Sequence, residues 1–253
     1  VLDYDNSGFI TSGEVLEDGQ RRLDDLDKGI FSGAALHELG NPRRRLTADS
    51  LDHSLCFDQC ALDDQVGGMH ATLMNGATCT PGEGVVFDGV DDYVDLADQS
   101  LGGPMTIAVW ARWDALNSHS RLCDFGDGQD DDNILIYNQG TSATIGFIIF
   151  VGSSYKSTTG GSIVLGAWTH VVGTVQGTSM KLYQDGSLAA TKDDGQEPAS
   201  LTRANHWLGR SAWASDGYFQ GAIKSMQIWS RALDAAEVAS LRALGGACLA
   251  SPS

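Results

Sequence analysis

Proline is scarce in this sequence, 5 of 253 residues, while glycine reaches 31. Few prolines and many glycines imply frequent tight turns, as an all-β meander requires. Long apolar runs are missing as well. The longest, 145–151, suits one buried strand and falls far short of the ~18 residues of a membrane-spanning helix. Positive charge is in short supply, with 16 basic against 33 acidic residues and a net charge of −17. Nucleic acid is therefore not expected as a partner, because phosphate binding needs a basic face. No CxxC pair occurs among Cys56, Cys60, Cys79, Cys123 and Cys248, which argues against a zinc ribbon or a thioredoxin-like site. Glutamate is limited to Glu14, Glu17, Glu38, Glu83, Glu197 and Glu237, a shortage that bears on catalysis below. No signal peptide is visible, and Val1 is not an initiator, so a mature or trimmed product is expected.

The cysteines point to an oxidising compartment, extracellular or an organelle lumen. Cys56, Cys60 and Cys79 lie close enough in sequence for one disulfide among them. The odd count leaves at least one thiol free or paired outside the chain.

Two regions differ in composition. Residues 1–46 are charged, with weak helical periodicity over 15–39, a stop at Asn41-Pro42 and a basic linker at Arg43-Arg44-Arg45. From 47 to 253 the pattern turns to short alternating or apolar runs punctuated by glycine. Strands are expected at 54–57, 71–74, 84–87, 93–96, 105–113, 120–125 and 133–137. Further strands are expected at 144–151, 154–158, 168–176, 179–184, 187–191, 206–210 and 222–229. Asp185-Gly186 supplies the positive φ angles of a two-residue hairpin turn. Asp234 and Glu237 form a capping-box pattern before a helix over 235–244, with Gly245 as its stop. The expected fold is mainly β: a two-sheet antiparallel jelly-roll sandwich, preceded by a short helical segment and closed by one C-terminal helix.

The sharpest chemical motif lies at the start. Asp3, Asp5, Ser7, Phe9, Thr11 and Glu14 occupy the ligand positions of a twelve-residue EF-hand calcium loop, with Gly8 at the sharp turn. Calcium wants 6–8 hard oxygens, and this spacing offers side-chain oxygens, the Phe9 carbonyl and a bidentate Glu14 carboxylate. A second copy beginning at Asp24 puts Leu26, Lys28 and Ala35 where oxygens belong, so it is not expected to hold calcium. Another oxygen-rich loop contains Asp124, Asp127, Asp130 and Asp132; with Asp88 they make a candidate second metal site.

Several runs within the sandwich share one likeness. They are Gly84-Val-Val-Phe87-Asp88-Gly89 with Asp92-Tyr93-Val94, Met105 to Trp113, and Trp168-Thr-His170-Val171-Val172. They continue with Leu208-Gly209-Arg210-Ser211, Gly217-Tyr-Phe219-Gln-Gly221-Ala-Ile223 and Ile228-Trp229-Ser-Arg231-Ala232-Leu233. In this order and spacing they resemble the laminin-G-like, concanavalin A-like jelly rolls, over roughly 54–244. The resemblance implies a sandwich whose function sits in its rim loops, and a family that often carries a rim calcium. One acidic position of that family's calcium arrangement is Lys224 here, which puts that ion in doubt. Phe87, Trp110, Trp168 and Trp229 are expected as core fillers, and His170 as a hydrogen-bonded sheet histidine.

Glucanases share this general architecture, and retaining glycosidases need two carboxylates ~5–5.5 Å apart. The sandwich has only Glu83 and Glu197, in turns, and Glu237, at a helix cap; no glutamate-bearing catalytic strand is visible. A G-x-S-x-G elbow and an H-E-x-x-H helix are missing too. The expectation is a non-catalytic, calcium-linked module that binds a glycan or protein ligand. Trp207, Trp213 and Tyr218 form its candidate aromatic site. Trp213 serves equally well as a loop anchor, and a structural subunit docked in a larger assembly remains the alternative.

Overall fold

The structure, a computed structural model, describes residues 50–247 and Leu249. The calcium-loop residues Asp3, Asp5, Ser7, Phe9, Thr11 and Glu14 and the helical stretch after them lie outside the described residues. The strands are β1 (Leu51–Cys56), β2 (Ala71–Met74), β3 (Thr78–Thr80), β4 (Gly84–Asp88), β5 (Tyr93–Leu96) and β6 (Ser100–Leu101). They continue as β7 (Met105–Trp113), β8 (Arg121–Gly126), β9 (Ile134–Asn138), β10 (Ile145–Val151), β11 (Ser154–Gly160) and β12 (Trp168–Gln176). The last are β13 (Ser179–Gln184), β14 (Ser187–Lys192), β15 (Leu201–Thr202), β16 (Asn205–Leu208) and β17 (Gln220–Trp229), followed by helix α1 (Ala235–Ala243).

These strands build two antiparallel sheets. One runs β14-β13-β12-β7-β17-β4-β3, with β1 paired to the second half of β17. The other runs β11-β10-β9-β8-β16-β5-β2, and β6 and β15 form a small separate ribbon. Strand alternation decides what each sheet buries. In β9, Ile134 and Ile136 join the core between the sheets, while Leu135 and Tyr137 face outward. Phe87, Trp113, Phe125, Phe147 and Phe219 are at most 2 % exposed and fill that core, each stabilising it by roughly 1.5–3 kcal/mol.

The opposite face of the eight-stranded sheet is also apolar, because α1 lies over it. Trp229, Leu233, Val238, Leu241 and Leu249 form a second cluster there. The expected capping box is present: Asp234 accepts from Glu237 N, and the Glu237 side chain accepts from Asp234 N. Three expectations about core residues need correction. Trp229 is buried, but beneath α1. Trp110 and Trp168 also lie outside the main core, with the Arg242 guanidinium 4.7 Å from the Trp110 ring and the Lys224 ammonium 4.7 Å from the Trp168 ring. His170 is buried against Trp110, yet neither ring nitrogen has a hydrogen-bond partner; burial, then Arg242, lowers its pKa to about 3 and keeps it neutral.

Cys60 and Cys79 form a disulfide with a Cα–Cα distance of 5.6 Å, and Cys56 is disulfide-bonded as well. Cys123 is a free, buried thiol whose pKa burial lifts to about 12, so it stays protonated and inert. Arg203, fully buried, donates to the carbonyls of Leu101 at 2.7 Å and Ala199 at 3.0 Å and to that of Asp132. It thereby clamps the β6–β15 ribbon to the 127–132 loop without any carboxylate partner among the described residues.

Candidate functional site

The outward face of the seven-stranded sheet carries an aromatic side chain on most of its strands. Tyr155 comes from β11, Phe150 from β10, Tyr137 from β9, Trp207 from β16 and Tyr93 from β5. Phe150 packs on Tyr155 at 5.2 Å, and Tyr93 meets Trp207 edge-on at 6.1 Å. A register shift between Arg121 and Cys123 turns both Arg121 and Asp124 to this same face, which a regular strand would not do at a spacing of three.

Arg121 organises the centre. Its guanidinium donates to His119 O and to Asp216 Oδ2, both at 2.7 Å. It also lies 4.9 Å from the Tyr137 ring and 5.1 Å from the Trp213 ring. Asp216 further accepts from Ser211 Oγ at 2.8 Å. Asp124, fully buried, accepts from Asn133 Nδ2 at 2.8 Å and Ala212 N at 2.9 Å. Burial lifts its pKa to about 6, against the opposing pull of Ala212 N, Arg121 and Asn133. These bonds tie the 211–216 loop down onto β8.

The three aromatic residues singled out from sequence converge. Trp207, Trp213 and Tyr218 line one pocket of about 240 Å³ with Arg210, Ser211 and Asp216. Trp213 also borders a second depression of about 410 Å³, whose floor includes Tyr137 and Phe150. It packs on Phe150 at 5.8 Å as an anchor, while remaining part of two pocket walls. Trp207 is less free than expected: Arg210 covers its ring at 4.0 Å. Arg121, Tyr137, Phe150 and Tyr155 were not singled out, because in sequence they read only as members of strands.

The expected second metal site does not assemble. Asp124 is buried in its own hydrogen bonds, Asp127 accepts from Ala204 N at 2.6 Å, and Asp132 accepts from Gly152 N at 2.8 Å. Asp130 is exposed at the rim of the larger depression. Among the described residues, the group able to share an ion is Asp88, Asp91 and Asp92, whose carboxylates lie within 4.8 Å of one another. Their oxygens are partly engaged, as Asp92 accepts from Asp88 N and Asp88 from Val90 N. Burial, followed by the nearby charges of Asp88 and Asp91, raises the pKa of Asp92. The fit to a rim calcium is partial.

Each sandwich glutamate has structural work elsewhere. Glu83 pairs with Arg112, Glu197 accepts from Gly177 N, and Glu237 holds both Arg231 and the α1 cap.

A family model described as the concanavalin A-like lectin/glucanases superfamily, of the third laminin-G type, matches residues 88–239. The chain belongs to this superfamily. Its sandwich is similar to domain 4 of an extracellular arabinanase from Geobacillus stearothermophilus, solved in complex with arabinotriose. The TM-score is 0.64 at 21 % identity, covering 76 % of this chain and 98 % of that one. It is also similar to the sialidase of Trypanosoma rangeli, with a TM-score of 0.61 at 18 % identity, covering 81 % of this chain and 37 % of the sialidase. A third likeness is to botulinum neurotoxin type C, whose cell entry depends on interaction with two ganglioside molecules. There the TM-score is 0.60 at 16 % identity, covering 77 % of this chain and 51 % of the toxin chain. The superfamily domain therefore spans little more than a third of the sialidase and about half of the toxin chain. At these identities the likeness is one of fold. No curated protein sequence matches the chain.

Proposed function

We propose that this chain is a non-catalytic glycan-binding module that holds its ligand against the outer face of the seven-stranded sheet. One observation carries this reading: Trp207, Trp213 and Tyr218, separate in sequence, line a single pocket with Arg210, Ser211 and Asp216. Aromatic walls with convergent polar groups are what a sugar ring needs, since its C–H faces pack on rings and its hydroxyls bond at the edges. Among the similar folds, an arabinanase domain was solved with arabinotriose and a toxin interacts with gangliosides, which supports a glycan as ligand.

A binding role without catalysis is supported by the carboxylates. Glu83, Glu197 and Glu237 are engaged away from the groove. Asp124, whose pKa is raised, is 0 % exposed and cannot touch a substrate, and Asp216 in the pocket wall is held by Arg121 and Ser211. Calcium is assigned in this reading to the loop of Asp3, Asp5, Ser7, Phe9, Thr11 and Glu14 on its sequence pattern. Screening the chain on a glycan array with and without calcium, alongside Trp213→Ala, tests the binding role. Wild type should retain defined glycans and Trp213→Ala should lose them. Silence on every glycan would point instead to an assembly module, and shortened glycan products in mass spectra would overturn the absence of catalysis.

A further inference from the structure

Arg210 stands apart from the other described arginines. Among the described residues, Arg112 pairs with Asp114, Arg121 with Asp216, Arg231 with Glu237 and Arg242 with Asp185, while Arg203 is wrapped in carbonyls. Among the described residues Arg210 has no hydrogen-bond or ion-pair partner, in a chain with 33 acidic against 16 basic residues. It is held all the same. Its guanidinium carbon lies 4.0 Å from the Trp207 ring and 4.7 Å from the Tyr93 ring. The preceding Gly209 sits at φ 84°, where an added Cβ would stand 2.8 Å from the Phe87 ring, so the backbone delivers Arg210 from the end of β16 into the pocket.

A guanidinium held over an aromatic ring keeps N–H donors for an acceptor. Arg210 lines the same pocket as Ser211, Trp213 and Tyr218. The carboxylate in that pocket wall, Asp216, is already bound by Arg121 at 2.7 Å and Ser211 at 2.8 Å.

We infer that this pocket selects an acidic sugar, with the anionic group seated on the Arg210 guanidinium and the ring held against Trp213 and Tyr218. The inference rests on the glycan-binding reading and adds the class of ligand. The shared chemistry is a planar or tetrahedral oxyanion that accepts two N–H bonds from one guanidinium; a uronic or sialic acid carboxylate and a sugar sulfate both provide it.

The test is a glycan array bearing matched neutral, uronic, sialylated and sulfated forms, followed by calorimetric titration of the best acidic glycan and its neutral counterpart. The expected result is tighter binding of the acidic form, with the array telling carboxylate from sulfate. Arg210→Gln should weaken the acidic glycan about tenfold or more and its neutral counterpart by much less, so that the preference for the acidic form is lost. Arg210→Lys should recover part of the preference, and rising salt should erode it. Thermal melting of each variant checks that the fold is intact. Equal binding of neutral and acidic forms that Trp213→Ala abolishes would overturn this inference and leave the glycan-binding reading standing. An acidic preference that survives Arg210→Gln would likewise overturn it. Absence of binding to every glycan would overturn both.

Discussion

Arg121 Nη2 lies 2.7 Å from Asp216 Oδ2, and that bond fastens the loop bearing Trp213 to the middle of the seven-stranded sheet. Both side chains are nearly inaccessible, 5 % and 11 % exposed. Removing Asp216 would leave the buried Arg121 guanidinium with only Asp124, 3.7 Å from its Nε, as a charge partner. Asp216→Asn should therefore destabilise the sandwich by about 3 kcal/mol and release Trp213 from its place between the two pockets. Denaturant unfolding measures the first effect, and Trp213 fluorescence, read against Trp213→Phe, measures the second.

Asp64 predicts the behaviour in acid. Burial opposes its charge, but bonds from His53 Nδ1 at 2.7 Å and from the backbone of Ser54 and Val66 outweigh it and hold the carboxyl well below its ordinary 3.8. A carboxyl depressed on folding contributes stability that is full above its unfolded pKa and is lost as pH falls through the folded one. The melting temperature should thus drop below about pH 4, and Asp64→Asn should lose about 2–3 kcal/mol at neutral pH. A melting profile from pH 2 to 7 checks both.

Asp124 acts with the opposite sign. Its folded pKa, raised by burial to about 6, penalises the charged form above that pH, and protonation relieves the penalty as pH falls from 6 toward 4. Stability should rise by about 2 kcal/mol over this interval, before the loss at Asp64 takes over. Asp124→Asn should flatten that rise, as chemical denaturation at pH 7 and pH 5 would measure.

The Cys60–Cys79 disulfide closes a loop of 19 residues. In the chain-entropy account, Cys60→Ser with Cys79→Ser should cost about 3 kcal/mol, and differential scanning calorimetry should show it as a lower melting temperature. Reduction by dithiothreitol should lower the wild-type melting temperature too.

Calcium is expected at the N-terminal loop. Calorimetric titration of the whole chain should show a binding isotherm that Asp3→Ala with Glu14→Ala removes. An isotherm unchanged in that variant would place calcium elsewhere, with Asp88, Asp91 and Asp92 the next residues to substitute.

Long strands were legible because alternation and glycine punctuation agree: β7, β12 and β13 lie where the sequence places them. The strands β3, β6 and β15, two or three residues long, carry no readable alternation. Period-two patterning also cannot say which of two buried faces is the core. Trp110, Trp168 and Trp229 are expected there, but Trp229 packs beneath α1, while Trp110 and Trp168 lie against cationic side chains on the outer face of their sheet. The site was half legible. Trp207, Trp213 and Tyr218 stand out in a polar loop-rich stretch, whereas Arg121, Tyr137 and Phe150 sit in strands. Pairings such as Arg121 with Asp216 depend on sheet order, and so does the solitude of Arg210.

The central claim is that a glycan is held at Trp213 on the seven-stranded sheet. Calorimetric titration of the glycan best retained on the array, into wild type, Trp213→Ala and Trp168→Ala, tests it most directly. Trp168, stacked with Lys224 and Arg112 on the other sheet, serves as the control. Affinity should fall at least about tenfold in Trp213→Ala and stay at the wild-type value in Trp168→Ala. Undiminished affinity in a folded Trp213→Ala variant would contradict the account.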